Sequence, residues 1–308
     1  MRIVRSNGSR DTGQMRGLLD ALKIVGSGPP NGGLPRTWVN LCTSRQTISR
    51  VSFAHPTMLI AAMGRKTVVH GDQAHATDDS TLIIVPAGIE ITVENAPHPV
   101  SGLYAGAALS FDRDVLDQFR RLYGERFEDW DLLPRWRYRH SEKLLASIVN
   151  WLNWSRDFAA SKIELRHRLM EILLILAEEG GAGNLLIESI DSISVKLRSV
   201  LALDPSRTWR AREACERLGL SVSSMQRKLR EQDTSFRQVL EDVRLGRGLE
   251  LVLNTDEQIG RIARSCGYES QSRFAERFRL RFSITPSELR LTRPTKSVFG
   301  TRLAERQT

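Results

Sequence analysis

The chain writes one local pattern twice. "SVSSMQRKLREQDTSF" at 221–236 and "ESQSRFAERFRLRFSIT" at 269–285 each carry a small-polar opening, an apolar residue and a basic run. Each copy follows a glycine, Gly219 or Gly267, placed to end a helix in a left-handed cap. One such pattern fits many helical hairpins. Two copies with caps, small residues and glycines aligned restrict the C-terminal third to a duplicated helical unit.

In the first unit "WRAREACERLG" offers Ala211, Ala214, Cys215 and Leu218 as an inner stripe, and Ser221 suits the N-cap of the next helix. Met225 and Leu229, four apart, face inward, which turns Ser223, Ser224, Gln226, Arg227 and Arg230 outward. In the second unit Thr255 and Gln258 have the spacing of a capping box. Ile259, Ile262, Ala263 and Cys266 then point inward, followed by Phe274 and Phe278. Gln271, Ser272, Arg273, Glu276 and Arg277 are left on the open face. Two short helices joined by a tight turn, the second polar and basic outside, make a helix-turn-helix.

The connector "SFRQVLEDVRLGRGLELVLN" is amphipathic, with Phe236, Val239, Leu240, Val243 and Leu251 inward. A helix of that length spans about 28 Å, close to the roughly 34 Å of one DNA turn. It can set two recognition helices into successive major grooves.

Charge agrees with this layout. The chain of 308 residues carries a net +9. Residues 191–308 hold 23 Lys and Arg against 15 Asp and Glu, while residues 1–190 hold 22 against 21. The excess sits where the duplicated unit does, as expected for a domain that binds a polyanion.

Residues 1–35 are polar and Gly-rich with one helical pattern, "MRGLLDALKIVG", and a loop, "GSGPPNGGLPR". From about Val39 to Phe111 short apolar or alternating runs such as "TMLIAAM", "TLIIVPAG" and "IEITVE" predict strands and turns of a small barrel or sandwich. Helical periodicity follows to Glu179. "KIELRHRLMEILLILAEE" carries an apolar stripe of Ile163, Leu169, Met170, Leu173, Leu174 and Leu176, wider than one neighbour needs. Packing on the barrel and a subunit interface both account for it. "EEGGAGN" at 178–184 is the best linker candidate.

Several chemistries lack their signatures. Cys42, Cys215 and Cys266 are far apart without CxxC spacing, so buried apolar thiols are expected. His70 and His75 in "HGDQAH" lack the H-x-H and downstream Glu of a metal-binding cupin, and opposite-face placement or surface exposure is expected for them. There is no Gly-rich phosphate loop and no nucleophile elbow. Catalytic residues, metal ligands and cofactors are therefore expected to be none. A cupin-type barrel enzyme fused to a nucleic-acid-binding module is the rival reading; an RNA-binding protein would need an aromatic stacking surface. No run of eighteen apolar residues and no signal-peptide core occurs, which leaves the cytoplasm and no membrane partner.

The stretches "LGLSVSSMQRKLREQDTSF", "IGRIARSCGYESQSRFAERF" and "TPSELR" resemble the AraC/XylS family of bacterial transcription regulators. The resemblance covers about residues 191–291, and the part before it is similar only in general layout to the family's effector and dimerisation domain. It implies a two-domain α+β chain with an N-terminal arm (1–36) and a cupin-like β-barrel or sandwich with dimerisation helices for effector binding (37–180). A linker (181–190), an all-α DNA-binding domain with two helix-turn-helix motifs (191–292) and a basic tail (293–308) complete it. The implied partners are double-stranded DNA, a second copy of the chain, RNA polymerase and a small-molecule effector, for which Trp38, His55, Arg65 or Tyr104 are candidate contacts. Ser223, Gln226 and Arg227 on one helix and Gln271, Ser272, Arg273 and Arg277 on the other are the expected base readers. Glu276 occupies a base-facing position by the same resemblance, and Ser224 and Arg230 complete the set of DNA contacts. Asp233 and Ser283 stand where the family usually has Gly, Gly248 where Ala is usual, and Cys215 replaces a small Ala. Gly248 is expected to weaken the connector by about 1 kcal/mol.

Overall fold

The computed structural model describes residues 11–27, 37–77, 80–158, 161–186 and 192–294. Helix α1 (Asp11–Ser27) leads into strands β1 (Thr37–Cys42), β2 (Gln46–Ser52), β3 (Thr57–Met63), β4 (Arg65–His70), β5 (Gln73–Ala76), β6 (Thr81–Val85), β7 (Glu90–Ala96) and β8 (Tyr104–Ser110). With β9 (Arg137–Arg139) they pair antiparallel into two sheets, ordered β1-β8-β3-β6-β9 and β2-β7-β4-β5. The strands expected between Val39 and Phe111 thus form a sandwich.

Its central strands read as unbroken apolar runs because the first sheet is buried on both faces. Met58, Ile60, Leu82 and Ile84 point to a layer of helices. Leu59, Ile83 and Val85, one residue out of phase, point to the second sheet and meet Val68 and Val93 there.

The helical layer is α1, α2 (Arg113–Tyr123), α3 (Glu142–Asp157), α4 (Lys162–Glu178) and the short α5 (Gly183–Leu186). Ser141 caps α3, and Ser161 with Glu164 forms a capping box on α4. Three expectations need correction here. The segment 1–36 is not simply an arm: Leu18 and Leu22 of α1 are fully buried in this core. Nor is the wide stripe of α4 open to a partner. Leu169, Met170, Leu173 and Leu176 are buried between the sandwich and neighbouring helices, Leu174 is half-buried, and Ile163 alone of that set is exposed. Residues 181–186 of the expected linker are also packed, with Asn184 donating to the carbonyls of Ile84 and Arg135. Residues 187–191 lie outside the described residues.

The remainder is helical: α6 (Ile193–Leu201), α7 (Ala211–Leu218), α8 (Val222–Arg230), α9 (Phe236–Asn254), α10 (Ile259–Ser265), α11 (Gln271–Phe282) and α12 (Pro286–Leu291). The 19-residue α9 is the connector. Its first half joins α6, α7 and α8 in one core around Leu197, Cys215, Met225, Leu229 and Val239. Its second half lies in another with α10 to α12 through Leu245, Leu249 and Val252. Of the five connector residues expected inward, Val239 is fully buried; Phe236, Leu240, Val243 and Leu251 are half-buried. Among the described residues no helix is long and apolar enough to cross a membrane.

Two of the three non-glycine residues with positive φ among the described residues are departures that the resemblance marked; the third is Arg50 of β2, φ 53°. Asp233 and Ser283 both have positive φ, 50° and 60°, a conformation that costs a non-glycine residue about 1–2 kcal/mol. Gly248 is a different case, because a Cβ there would lie 2.6 Å from the Phe274 ring of α11. The glycine lets α9 and α11 touch, so its propensity cost is offset by packing.

Gly248→Ala should therefore destabilise the chain by about 1–3 kcal/mol, although alanine is the better helix former. The urea midpoint of the full chain reads this directly. An unchanged or higher midpoint would show that the Phe274 ring yields without cost.

Candidate nucleic-acid interface

Two helix pairs carry the outward-facing residues. In the first, α7 ends at Gly219 with φ 65°, and the Ser221 hydroxyl accepts from the Ser224 N–H to start α8. Met225 and Leu229 are buried beneath α8, and Cys215 Sγ lies 3.5 Å from Met225 Sδ. That fixes the rotation of the helix. Ser223, Gln226, Arg227 and Arg230 are exposed and Ser224 is half-buried. Ser223, Ser224, Arg227 and Arg230 border one shallow concavity, joined by Glu231, which lies 3.4 Å from Arg227.

In the second pair, Gly267 has φ 78° and Ser270 caps α11 by accepting from the Arg273 N–H. Phe274 and Phe278 are fully buried, each ring contributing about 1.5–3 kcal/mol by burial. Gln271, Ser272, Arg273, Glu276 and Arg277 are exposed. The expected capping box of α10 does not form: its N-cap is Gln258 without a side-chain bond, and the Thr255 hydroxyl donates back to the Leu251 carbonyl. One expected base reader is engaged. Arg277 makes a two-pronged ion pair with Glu241 of α9, its Nε and Nη2 each 2.5 Å from a carboxylate oxygen.

The seam between the helical domain and the sandwich is polar at its rim. Arg281 of α11, 8% exposed, reaches Glu90 of β7 at 2.6 Å and Asp242 of α9 at 3.4 Å. Arg198 holds Asp242 at 2.7 Å. Burial alone would raise the Glu90 carboxyl, but Arg281 and Arg50 pull it below its usual range. At the other end Thr43 donates its N–H to the Thr292 carbonyl at 2.8 Å, and Gln46 donates to the Thr292 hydroxyl.

Between these contacts lies a cavity of about 480 Å³. Its walls are apolar (Ile48, Val51, Leu59, Val93, Leu249 and Phe282), and Lys66 and Asn95 also line it. Of the four candidate effector contacts, Trp38 and His55 line the cavity. Arg65 is exposed, and Tyr104 is fully buried with its ring 5.4 Å from the Lys66 ammonium. Lys66 itself went unnoticed in the sequence, though it sits two residues before the buried Val68 and shares its face. An inward lysine in "RKTVVH" was the available signal. Burial lowers its pKa to about 8, and burial pushes the neighbouring Cys42 thiol up to about 12.

His70 and His75 are not on opposite faces, but His70 is surface-exposed, the other expected outcome, and His75 is half-buried. Both stack on Trp136, at 5.2 and 5.3 Å between ring centres. Cys42, Cys215 and Cys266 are free and buried, as expected of apolar thiols. Among the described residues no group of three or more His, Cys, Asp or Glu is placed to hold a metal ion.

Comparison with known proteins follows this division. A family model described as a helix-turn-helix domain matches residues 214–292. The regulator YdeO of Escherichia coli K12 is 30% identical over 151 residues, which cover 47% of this chain and 56% of that protein. SirC, a transcriptional regulator of Salmonella typhimurium, is 29% identical over 119 residues, covering 38% of this chain and 40% of its own. The chain thus spans only about half the length of the relatives it matches. In overall fold it is similar to ToxT of Vibrio cholerae, with TM-score 0.59 and 14% identity over 84% of this chain and 98% of that one. A ToxT structure with an unsaturated fatty acid bound is similar at TM-score 0.57 and 14% identity, over 83% of this chain and 94% of that one. The duplicated helical unit, the helix-turn-helix match and these regulators agree with the resemblance read from the sequence: residues 214–292 carry a helix-turn-helix domain, and the chain is similar to AraC-type transcription regulators.

Proposed function

We propose that this chain is a sequence-specific, effector-responsive transcription activator that sets α8 and α11 into successive major grooves on one side of a DNA duplex. The observation that carries the reading is the pair of helices whose apolar faces are fully buried while Ser223, Gln226, Arg227, Gln271, Ser272, Arg273 and Glu276 stand exposed. The connector between them is a single helix of 19 residues, about 28 Å long. Arg offers a bidentate donor pair to guanine and Gln pairs with adenine, while Glu276 can accept from cytosine. Ser224, Arg230 and Arg277 extend the contact surface. In this reading the sandwich with its helical layer α1 to α5 forms the sensing domain and residues 192–292 the DNA-binding domain, which acts on RNA polymerase at the promoter. The effector sits in the cavity at the seam, as the acid-bound ToxT fold suggests. A barrel enzyme has no observation in its favour.

Binding of the full chain to its selected duplex should weaken on the order of 10³-fold between low and moderate salt, because neutralised phosphates release counterions. Arg227→Ala should cost about 1–3 kcal/mol and relax one base position when profiled on randomised duplexes. A loss equal across all sequences would reassign Arg227 to a phosphate.

The ion pair with Glu241 has to open before Arg277 can meet DNA. Glu241→Gln should tighten binding by up to about fivefold, the equivalent of one exposed ion pair. The gain should vanish in an Arg277→Ala background; a gain that persists there would come from general charge instead.

A homodimer, in this proposal, uses the exposed Phe158 and Ile163 at the turn between α3 and α4 rather than the buried α4 stripe. Replacing both with Ser should convert a sedimenting dimer to a folded monomer. A wild type that is monomeric with and without DNA ends this part of the reading.

A further inference from the structure

The connector has a weak point where its two cores meet. Helix α9 passes from the first core to the second between Val243 and Leu245, and glycines follow at once at 246 and 248. Glycine supports a helix interior less than any residue except proline. At Gly248 the contact with the Phe274 ring compensates. Gly246 has no such contact: it is exposed, and a Cβ there would meet nothing within 4 Å among the described residues. A bend at these glycines would turn α8 against α11.

One side chain spans the weak point. Arg244 of α9 donates from Nε to the Pro205 carbonyl at 3.0 Å and from Nη2 to the Arg207 carbonyl at 3.2 Å. Both acceptors lie in the loop between α6 and α7, which belongs to the first unit. That loop is itself held. The Asp204 carboxylate accepts from the N–H groups of Ser206 and Arg207 at 3.1 and 3.2 Å, and the buried Trp209 donates from Nε1 to the Asp204 carbonyl at 2.8 Å. The same guanidinium also meets the second unit. A Cβ on Gly267 would lie 2.8 Å from it, so the group rests against the bare backbone of the turn that leads into α11. Glycine is required at 267 twice over, by its φ of 78° and by this close approach. A planar guanidinium can hold two carbonyls at once in a fixed fork, which a lysine ammonium on a flexible stem does not.

We propose that Arg244 is a positioning residue for DNA recognition: it braces the glycine-weakened middle of α9 by joining the first unit's loop to the second unit's turn, and so fixes which spacing of two half-sites the chain accepts. This rests on the two-groove reading above and names what sets the spacing. Arg244 acts through the angle between α8 and α11 and reads no base itself. One added base pair moves a half-site by about 3.4 Å along the duplex and turns it by about 34–36°. Without the brace α9 bends to follow that displacement, while the bases read within each half-site stay the same.

The test uses the full chain and duplexes carrying its two selected half-sites, with the spacer changed by one base pair in either direction and affinity read by fluorescence anisotropy. The wild type should lose at least tenfold in affinity on either altered spacer. Arg244→Ala and Arg244→Lys should each lose less than threefold, with base preferences inside both half-sites unchanged on randomised duplexes. Gly246→Ala stiffens α9 without a clash and should restore most of the discrimination to Arg244→Ala. Circular dichroism checks that each variant is folded, and Arg244→Lys carries the test if Arg244→Ala is not. Full spacing discrimination in the folded Arg244 variants overturns the brace while the two-groove reading stands. Unfolding of both variants assigns Arg244 to stability alone and overturns it too. Failure of Gly246→Ala to restore discrimination overturns the bend at the glycines. A wild type indifferent to the spacer overturns the proposal together with the reading it rests on.

Discussion

Val239 near the start of α9 and Val252 near its end are both fully buried, yet in different cores. One helix is thus the shared wall of two small helical units, and its rigidity sets the distance and rotation between α8 and α11. Neither unit has a large core alone, and each depends on α9 to close it. The contact of the Phe274 ring with the bare backbone at Gly248 locks the second unit onto the connector. A recognition surface made of two separate helices has a defined geometry only through this shared element.

The second core does not stop at the helical domain. Phe282 and Leu249 border the cavity together with Ile48, Val51 and Val93 of the sandwich. Around that apolar patch the seam is closed by charged groups on one side and by buried amides and Thr292 on the other. Such a seam combines non-directional apolar contact with directional polar contacts. The cavity and the recognition helices therefore share residues: Arg281 and Phe282 belong to α11 and also line the cavity.

Much of the C-terminal domain was legible because its signals are local. Gly219 and Gly267 adopt the left-handed φ their positions require, Ser221 and Ser270 cap the following helices, and Met225, Leu229, Phe274 and Phe278 are buried at helical spacing. The Thr255 and Gln258 pair failed because the Thr255 hydroxyl turns back to α9 and donates to the Leu251 carbonyl, a competing local bond. In the sandwich, strands were readable from their apolar runs, but the partner of each strand was not. Pairing such as β3 between β6 and β8 joins residues distant in the chain.

The stripe of α4 shows where sequence stops. Its apolar width required burial, and periodicity could not say against what; the fold answers with its own sandwich and α3 rather than a second subunit. Lys66 is the same lesson in polar form, since a lysine in a strand becomes informative only when its surroundings lack a carboxylate. The amino-acid sequence by itself determined the duplicated helical units, their caps, their outward faces and the concentration of positive charge behind them. These depend on 3.6-residue periodicity, turn stereochemistry and composition, all properties of neighbours along the chain. Only tertiary structure decided that Arg277 is held by Glu241, that Gly248 receives Phe274, and that Lys66 meets a cavity between domains. Each of these is a distance between residues that no local rule connects.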